Sequence, residues 1–266
     1  MRLLLFVITF VLFTQLSFTT AGTLETIVLA IEDSGSFPIY RKAASHYTGE
    51  HPGFFIEFIR EIEADLGVNI NIVRMPWKRC LASLQEGRVN AVTSASYKPE
   101  REKSGRYPKK SGHLDIGRRF NTSSYFLYSI EGAPVRWDGN ILENKSNLSV
   151  GAQRGFSIVA DLNNLGIKTT EVDDPESGFI MLLNNRLSAL AVHENVGQVY
   201  VRKHDNIKQL SPPLKTKPYF LILSHQLYAK HPDFSEKIWD TVEKIRNSEK
   251  LAKIKDKYYS FGSWPD

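Results

Sequence analysis

The sequence predicts an α/β protein of two similarly built lobes, and three observations carry that expectation. One phrase occurs twice: residues 84–94 read L-Q-E-G-R-V-N-A-V-T-S and residues 182–192 read L-L-N-N-R-L-S-A-L-A-V. Aligned on Arg88 and Arg186, each is an apolar helix end, then Gly87 or Asn185, then an arginine and a short apolar run. Gly and Asn best tolerate the left-handed conformation past a helix C-terminus, and the runs suit strands buried on both faces. Second, strand-like and helix-like patterns alternate before the first copy, which implies a largely parallel sheet in the first lobe, and a second β-α series precedes the other copy. Third, the length left after the N-terminal leader fits one large domain or two lobes of about 100–120 residues.

Residues 1–21 read as a cleavable signal peptide. Arg2 supplies the positive start, residues 3–13 an apolar stretch, and Thr19-Thr20-Ala21 a small-residue cleavage site. No cysteine lies beside that site, so no lipid anchor is expected there. Residues 26–31 read as the first strand, running into a polar loop (32–38) and a polar insert (41–51). Pro52-Gly53 opens a helix with Phe55, Ile59, Ile62 and Leu66 on its apolar face, stopped by Gly67. Residues 68–73 alternate as a second strand. Pro76 opens a helix facing Trp77, Cys80, Leu81 and Leu84 inward, and residues 89–93 form the third strand.

Residues 98–121 are charged and non-periodic, and read as a long loop. Residues 123–130 are apolar and aromatic, a crossing strand. Residues 149–152 begin a second β-α series, with a turn at 153–157 and a helix at 158–165 closed by Gly166. Asp174-Pro175 starts the next helix, with Asp as N-cap and Pro in the first turn. Residues 219–223 are a further buried strand. Phe234, Ile238, Val242 and Ile245 mark one amphipathic helix and residues 251–258 another; they follow no new sheet and are expected to pack on a lobe already built.

The composition excludes several classes. The net charge of +5 over 266 residues is spread along the chain, which gives no argument for nucleic acid. Cys80 is the single cysteine, so no intrachain disulfide exists, and it reads as a small apolar group on its helix. His193-Glu194 has no further histidine at metal-ligand spacing, so neither a metal site nor a cofactor is expected.

Several phrases resemble one family. Gly53-Phe54-Phe55-Ile56-Glu57-Phe58 is similar to a G-F-D-[V/L]-D-L helix start, and residues 77–94 to W-x-x-x-[I/L]-x-x-L-x-x-G-[R/K]-x-D-A-x-x-S. Residues 96–101, S-Y-K-P-E-R, resemble S-x-T-x-x-R, and residues 150–155 resemble V-G-V-x-x-G. The ending at 252–258 is similar to I-x-x-K-[W/Y]. In this order and spacing they resemble the extracytoplasmic solute-binding proteins of family 3, the polar amino-acid-binding type of ABC transporters. The resemblance implies a two-lobed periplasmic-binding-protein-like fold of type II, its lobes joined by two crossover strands. The chain would cross near 123–127 and return near 218–221. Lobe I would then be 22–126 plus 219–266, and lobe II 127–218.

In open α/β sheets ligands meet the carboxyl ends of strands, which directs attention to 94–101 and 193–195. Arg101 is the first candidate: its guanidinium is a permanently charged fork for a carboxylate, and the resemblance gives the arginine there that role. Against this stands a solvated arginine between Glu100 and Glu102. Ser94 and Ser96 offer hydroxyl and backbone donors. Ser157 matches the family's ligand-contacting hydroxyl, and amides 155–157 would present a helix N-terminus to an anion; Phe156 replaces a small hydroxyl residue. Phe37 and Trp77 are candidate aromatic walls, with plain packing the competing reading of each.

The pattern departs from the family at His193, where amino-acid binders place an Asp for the ligand's ammonium. Either Glu194 substitutes for it, or the solute is not an α-amino acid. The implied function is a non-enzymatic, monomeric periplasmic protein that captures a small carboxylate-bearing solute by lobe closure and hands it to a membrane permease. Two other readings stand beside it: a sensor subunit for a membrane receptor or kinase, and a dehydratase-like enzyme using His193 and Glu194 as acid and base.

Overall fold

The structure, a computed structural model, describes residues 26–33, 35, 37–41 and 50–261. The expected leader and most of the insert at 41–51 lie outside the described residues. Strands β1 (Thr26–Glu32), β2 (Asn69–Met75) and β3 (Ala91–Ser96) alternate with helices α1 (Phe54–Leu66) and α2 (Trp77–Gln85). β1 lies between β2 and β3 and is parallel to both. Residues 98–121, expected as loop, carry 3-10 turns at Pro99–Lys103 and Ile116–Arg118 and a short hairpin of β4 (Lys109–Lys110) and β5 (His113–Leu114). β6 (Asn121–Ile130) then crosses into a second series: β7 (Val150–Gln153), α3 (Ser157–Asn164), β8 (Thr169–Val172), α4 (Pro175–Leu183), β9 (Ala189–His193) and α5 (Glu194–Lys203). β10 (Ile207–Leu223) returns, and α6 (His225–Lys230), α7 (Pro232–Arg246) and α8 (Glu249–Ser260) follow.

The strands form one eight-stranded sheet in the order β2-β1-β3-β10-β6-β9-β7-β8. Three parallel strands stand at each side, and β6 and β10 run antiparallel through the middle. The return strand begins well before residues 218–221. Ile207 already pairs with Ile130, and the ladder runs to Tyr219 opposite Asn121. Its register shifts between Leu210 and Lys215, where Pro212 and Pro213 sit. Proline has no N–H for a ladder and is confined to such irregularities; that hid the first part of this strand.

Both copies of the repeated phrase end their helices alike. Gly87 (φ 73°) and Asn185 (φ 55°) are left-handed. Gly87 N–H donates to Leu84 O and Arg88 N–H to Ser83 O; Asn185 N–H donates to Leu182 O and Arg186 N–H to Met181 O. This 6→1 and 5→2 pair is a Schellman motif, which satisfies carbonyls the helix leaves open. α4 begins with a full capping box between Asp174 and Ser177. Gly53, before α1, has φ 118° and ψ 150°, and a Cβ there would stand 2.4 Å from Ile39 O. Only glycine lets the chain pass so close.

The C-terminal helices pack against α1. Phe58, Ile59 and Ile62 share one buried cluster with Trp239, Val242 and Tyr258, and Trp239 Nε1 donates to Leu221 O at 2.8 Å. Leu127, Val150, Leu162 and Ala189 form a core on the far side of the crossing strands. Cys80 is fully buried; burial, with Glu32 and Asp33 nearby, pushes its thiol up to about 12, so it fills space as an inert group. Among the described residues no helix is long and apolar enough to cross a membrane.

Candidate binding cleft between the lobes

β3 and β9, the strands that follow the two phrases, bring their ends to one cavity of about 480 Å³. That volume is in the ordinary range for a small-molecule site. At the end of β3, Ser94 has φ 61°, and Thr93 and Ser94 together face a single residue of β10, Leu221. Such a bulge turns a side chain out of the strand's alternation. It leaves Ser94 on the cavity, its hydroxyl donating to Asn121 Oδ1 at 3.1 Å.

Arg101, on the 3-10 turn after β3, is half-buried and also lines the cavity. Its Nη1 donates to Ser96 Oγ at 2.7 Å and Ser96 O at 3.0 Å, and its Nη2 reaches Gly155 O of the opposite lobe at 3.5 Å. Its guanidinium carbon lies 5.5 Å from the centre of the Trp77 ring. Among the described residues no carboxylate pairs with it, which leaves a positioned cation facing the cavity. Trp77 is both wall and packing: it lines the cavity, yet its ring meets Phe156 edge-on at 6.3 Å.

The second lobe contributes the start of α3 and the end of β9. Ser157 is buried at the first residue of α3 and lines the cavity; its hydroxyl accepts from Lys217 Nζ at 3.0 Å, and Lys217 also pairs with Asp161. His193 closes β9. Its ring lies 3.9 Å from that of Tyr125, Nδ1 shares a hydrogen bond of 2.8 Å with Ser123 Oγ, and Nε2 is 3.5 Å from the Tyr219 hydroxyl. Enclosure among these groups, and secondarily the Lys217 ammonium, lowers its pKa to about 3. His193 is therefore a neutral, aromatic element of the wall.

Six expected residues thus meet at the cavity: Arg101, Ser94, Ser96, Ser157, His193 and Trp77. Two do not. Glu194 is exposed, because it opens α5 and lies beyond the strand end that His193 occupies. Phe37 is buried and does not line the cavity; its carbonyl accepts from Asn195 Nδ2 at 3.5 Å. The sequence reading missed Glu32. It is the last residue of β1, lines the cavity, and accepts from Gln153 Nε2 at 2.7 Å. Its place at a strand's carboxyl end was the available signal. Among the described residues there is no cluster suited to a metal ion.

The comparisons with known proteins agree with this architecture. A mutant of ArgBP from T. maritima superposes with a TM-score of 0.71 at 18% identity, over 89% of this chain and 96% of that one. The substrate-binding protein of an amino acid ABC transporter gives 0.68 at 17% identity, over 88% and 99%. The GluR0 ligand-binding core from Nostoc punctiforme, in complex with L-glutamate, gives 0.69 at 15% identity, over 88% and 99%. At these identities the likeness is one of fold. No curated protein matches by sequence. The model of the bacterial extracellular solute-binding proteins, family 3, matches residues 40–261. That family is one of binding proteins rather than enzymes, which sets aside the acid–base reading of His193 and Glu194. Two α/β halves on one sheet, a cleft at their strand ends and this match lead to one conclusion: the chain belongs to the bacterial extracellular solute-binding proteins, family 3.

Proposed function

We propose that the protein captures a small carboxylate-bearing solute, an amino acid or a close relative, and delivers it to the permease of an ABC transporter in the periplasm. The observation that carries this is Arg101: a half-buried guanidinium on the cavity wall, held by Ser96, with no carboxylate pairing it among the described residues. A bidentate carboxylate is its natural complement. Ser94, Ser96 and Ser157 supply further polar contacts. Glu32, which lines the cavity while Glu194 is exposed outside it, is the carboxylate that would meet an ammonium. The lobes, 22–126 with 219–266 and 127–218, close on the solute by bending in β6 and β10.

A thermal-shift screen of amino acids, small carboxylates and oligopeptides tests this. The best hit is expected to bear a carboxylate, and Arg101→Ala to weaken it by about tenfold or more. Unchanged affinity in that variant would sink the assignment. A permease and ATPase encoded beside the gene are expected for uptake; a membrane kinase in their place would point to sensing.

A further inference from the structure

The two crossing strands place a group of polar side chains on one face of the sheet. Ser123 of β6 stands opposite Lys217 of β10, and Asn121 opposite Tyr219; on its other edge β6 sets Tyr125 opposite His193 of β9. Residues that are opposite, or two apart along a strand, point to the same face, so Ser123, Tyr125, His193, Lys217 and Tyr219 share it. All of these but Lys217 line the cavity, as does Ser157 at the start of α3. An ammonium has donors only, so the Ser157 oxygen accepts from Lys217 Nζ, at 3.0 Å, and the single Ser157 proton is left for another acceptor. Burial raises the pKa of Tyr219, while hydrogen bonds from Tyr125 and Ser157 lower it, as donors to the phenol oxygen do. Beyond Tyr219 stands His193, whose Nε2 is 3.5 Å from the phenol oxygen and whose Nδ1 is 2.8 Å from Ser123 Oγ. Ser123 is half-buried, and among the described residues its hydroxyl has no hydrogen-bond partner besides His193.

We propose that Ser123 is a specificity-determining residue of the site: His193, held as its Nδ1–H tautomer, donates to the Ser123 oxygen, and the Ser123 hydroxyl proton is turned to the cavity. The direction follows from the order of the hydrogen bonds. Tyr219, with donors on its oxygen, gives its own proton to His193 Nε2, and a neutral imidazole that accepts at Nε2 carries its proton on Nδ1. Both His193 nitrogens are then engaged inside the wall, and the hydroxyl at its end is a donor. A solute that carries a second acceptor oxygen, in a carboxylate or a carbonyl, matches this wall. An ammonium set against it would meet a proton in place of an acceptor. The position of that oxygen beside a clamped carboxylate rests on the Arg101 reading given above, whereas the tautomer does not.

Nitrogen NMR of the imidazole side chains of the mature chain at neutral pH reads the tautomer with no solute present, His193→Gln assigning the signal. The Nδ1–H form is expected; an Nε2–H ring overturns the proposal. Calorimetry then compares L-norvaline with L-glutamate and L-glutamine, and butyrate with succinate, each an exchange of a terminal methyl for a group bearing an acceptor oxygen. At least one acceptor-bearing solute is expected to bind about tenfold or more tightly than its methyl-ended partner, and Ser123→Ala to reduce that advantage by about tenfold. A melting curve checks that this half-buried exchange preserves the fold. If no acceptor-bearing solute gains, or if the gain survives Ser123→Ala, the proposal is overturned. Arg101→Ala separates the two readings: a variant that binds all of these solutes normally sinks the carboxylate clamp and leaves the tautomer, read without solute, standing.

Discussion

Gln153 donates its Nε2 to the Glu32 carboxylate at 2.7 Å, a bond that joins the end of β1 in one lobe to β7 in the other. It places a carboxylate at the wall of the cavity that also holds the Arg101 guanidinium. The two opposite charges belong to the same lobe, on strands that are neighbours in the sheet or on the turn that follows. On the function proposed above, a zwitterion would meet both charges on lobe I, and closure would add Ser157 and His193.

Glu32→Gln keeps an acceptor for Gln153 but drops the charge. It is expected to weaken solutes bearing an amino group by about tenfold or more, as loss of a charged hydrogen-bond partner does. Amine-free carboxylates are expected to bind as before. Calorimetric titration of one solute of each kind decides it; equal effects on both would show that Glu32 serves only the bond to Gln153.

His193 makes stability depend on pH. Its folded pKa is about 3, below the unfolded value near 6.5, so between those values the unfolded chain binds more protons than the folded one. Stability from this group is thus complete above the unfolded pKa and falls as pH drops from about 6.5 toward 3, by at most about 1.4 kcal/mol per pH unit. His193→Gln is expected to flatten the melting temperature between about pH 6.5 and 5, a window above that of ordinary carboxylates. An unchanged slope in the variant would show that His193 is free to charge in the fold.

Two glycines before and after α1 separate backbone strain from space. Gly53 sits in a region of φ and ψ open essentially to glycine alone, with Ile39 O and Tyr40 Cα each 2.4 Å from an added Cβ. Gly67 is left-handed at φ 68° but faces open space. Gly53→Ala is expected to cost more than about 3 kcal/mol, and Gly67→Ala about 1–2 kcal/mol, by denaturant unfolding. Equal costs would mean that the chain around Ile39 yields.

The fold was legible because its punctuation is local. Gly87 and Asn185 announce helix ends through their own backbone preference, Asp174-Pro175 announces a helix start, and the apolar runs after Arg88 and Arg186 announce buried strands. Where the signal was not local it failed. The first part of β10 is charged and contains Pro212 and Pro213, and only its pairing with β6 makes it a strand. Residues 98–121 hold short turns and a hairpin whose order comes from the lobe they lie on rather than from a period.

The cleft divides along the same line. By itself the sequence determined two α/β halves and the strand ends that face the cavity, and it offered Arg101, Ser94 and Ser96 there as candidates. The tertiary structure decided which neighbours face inward: Glu32 rather than Glu194, and Trp77 rather than Phe37. It also decided that His193 is neutral, while Phe55 lies in the buried core that the spacing predicts. Strand ends are set by short-range preferences, but the direction of a side chain past a strand end, and the charge it holds, depend on groups brought from a hundred residues away.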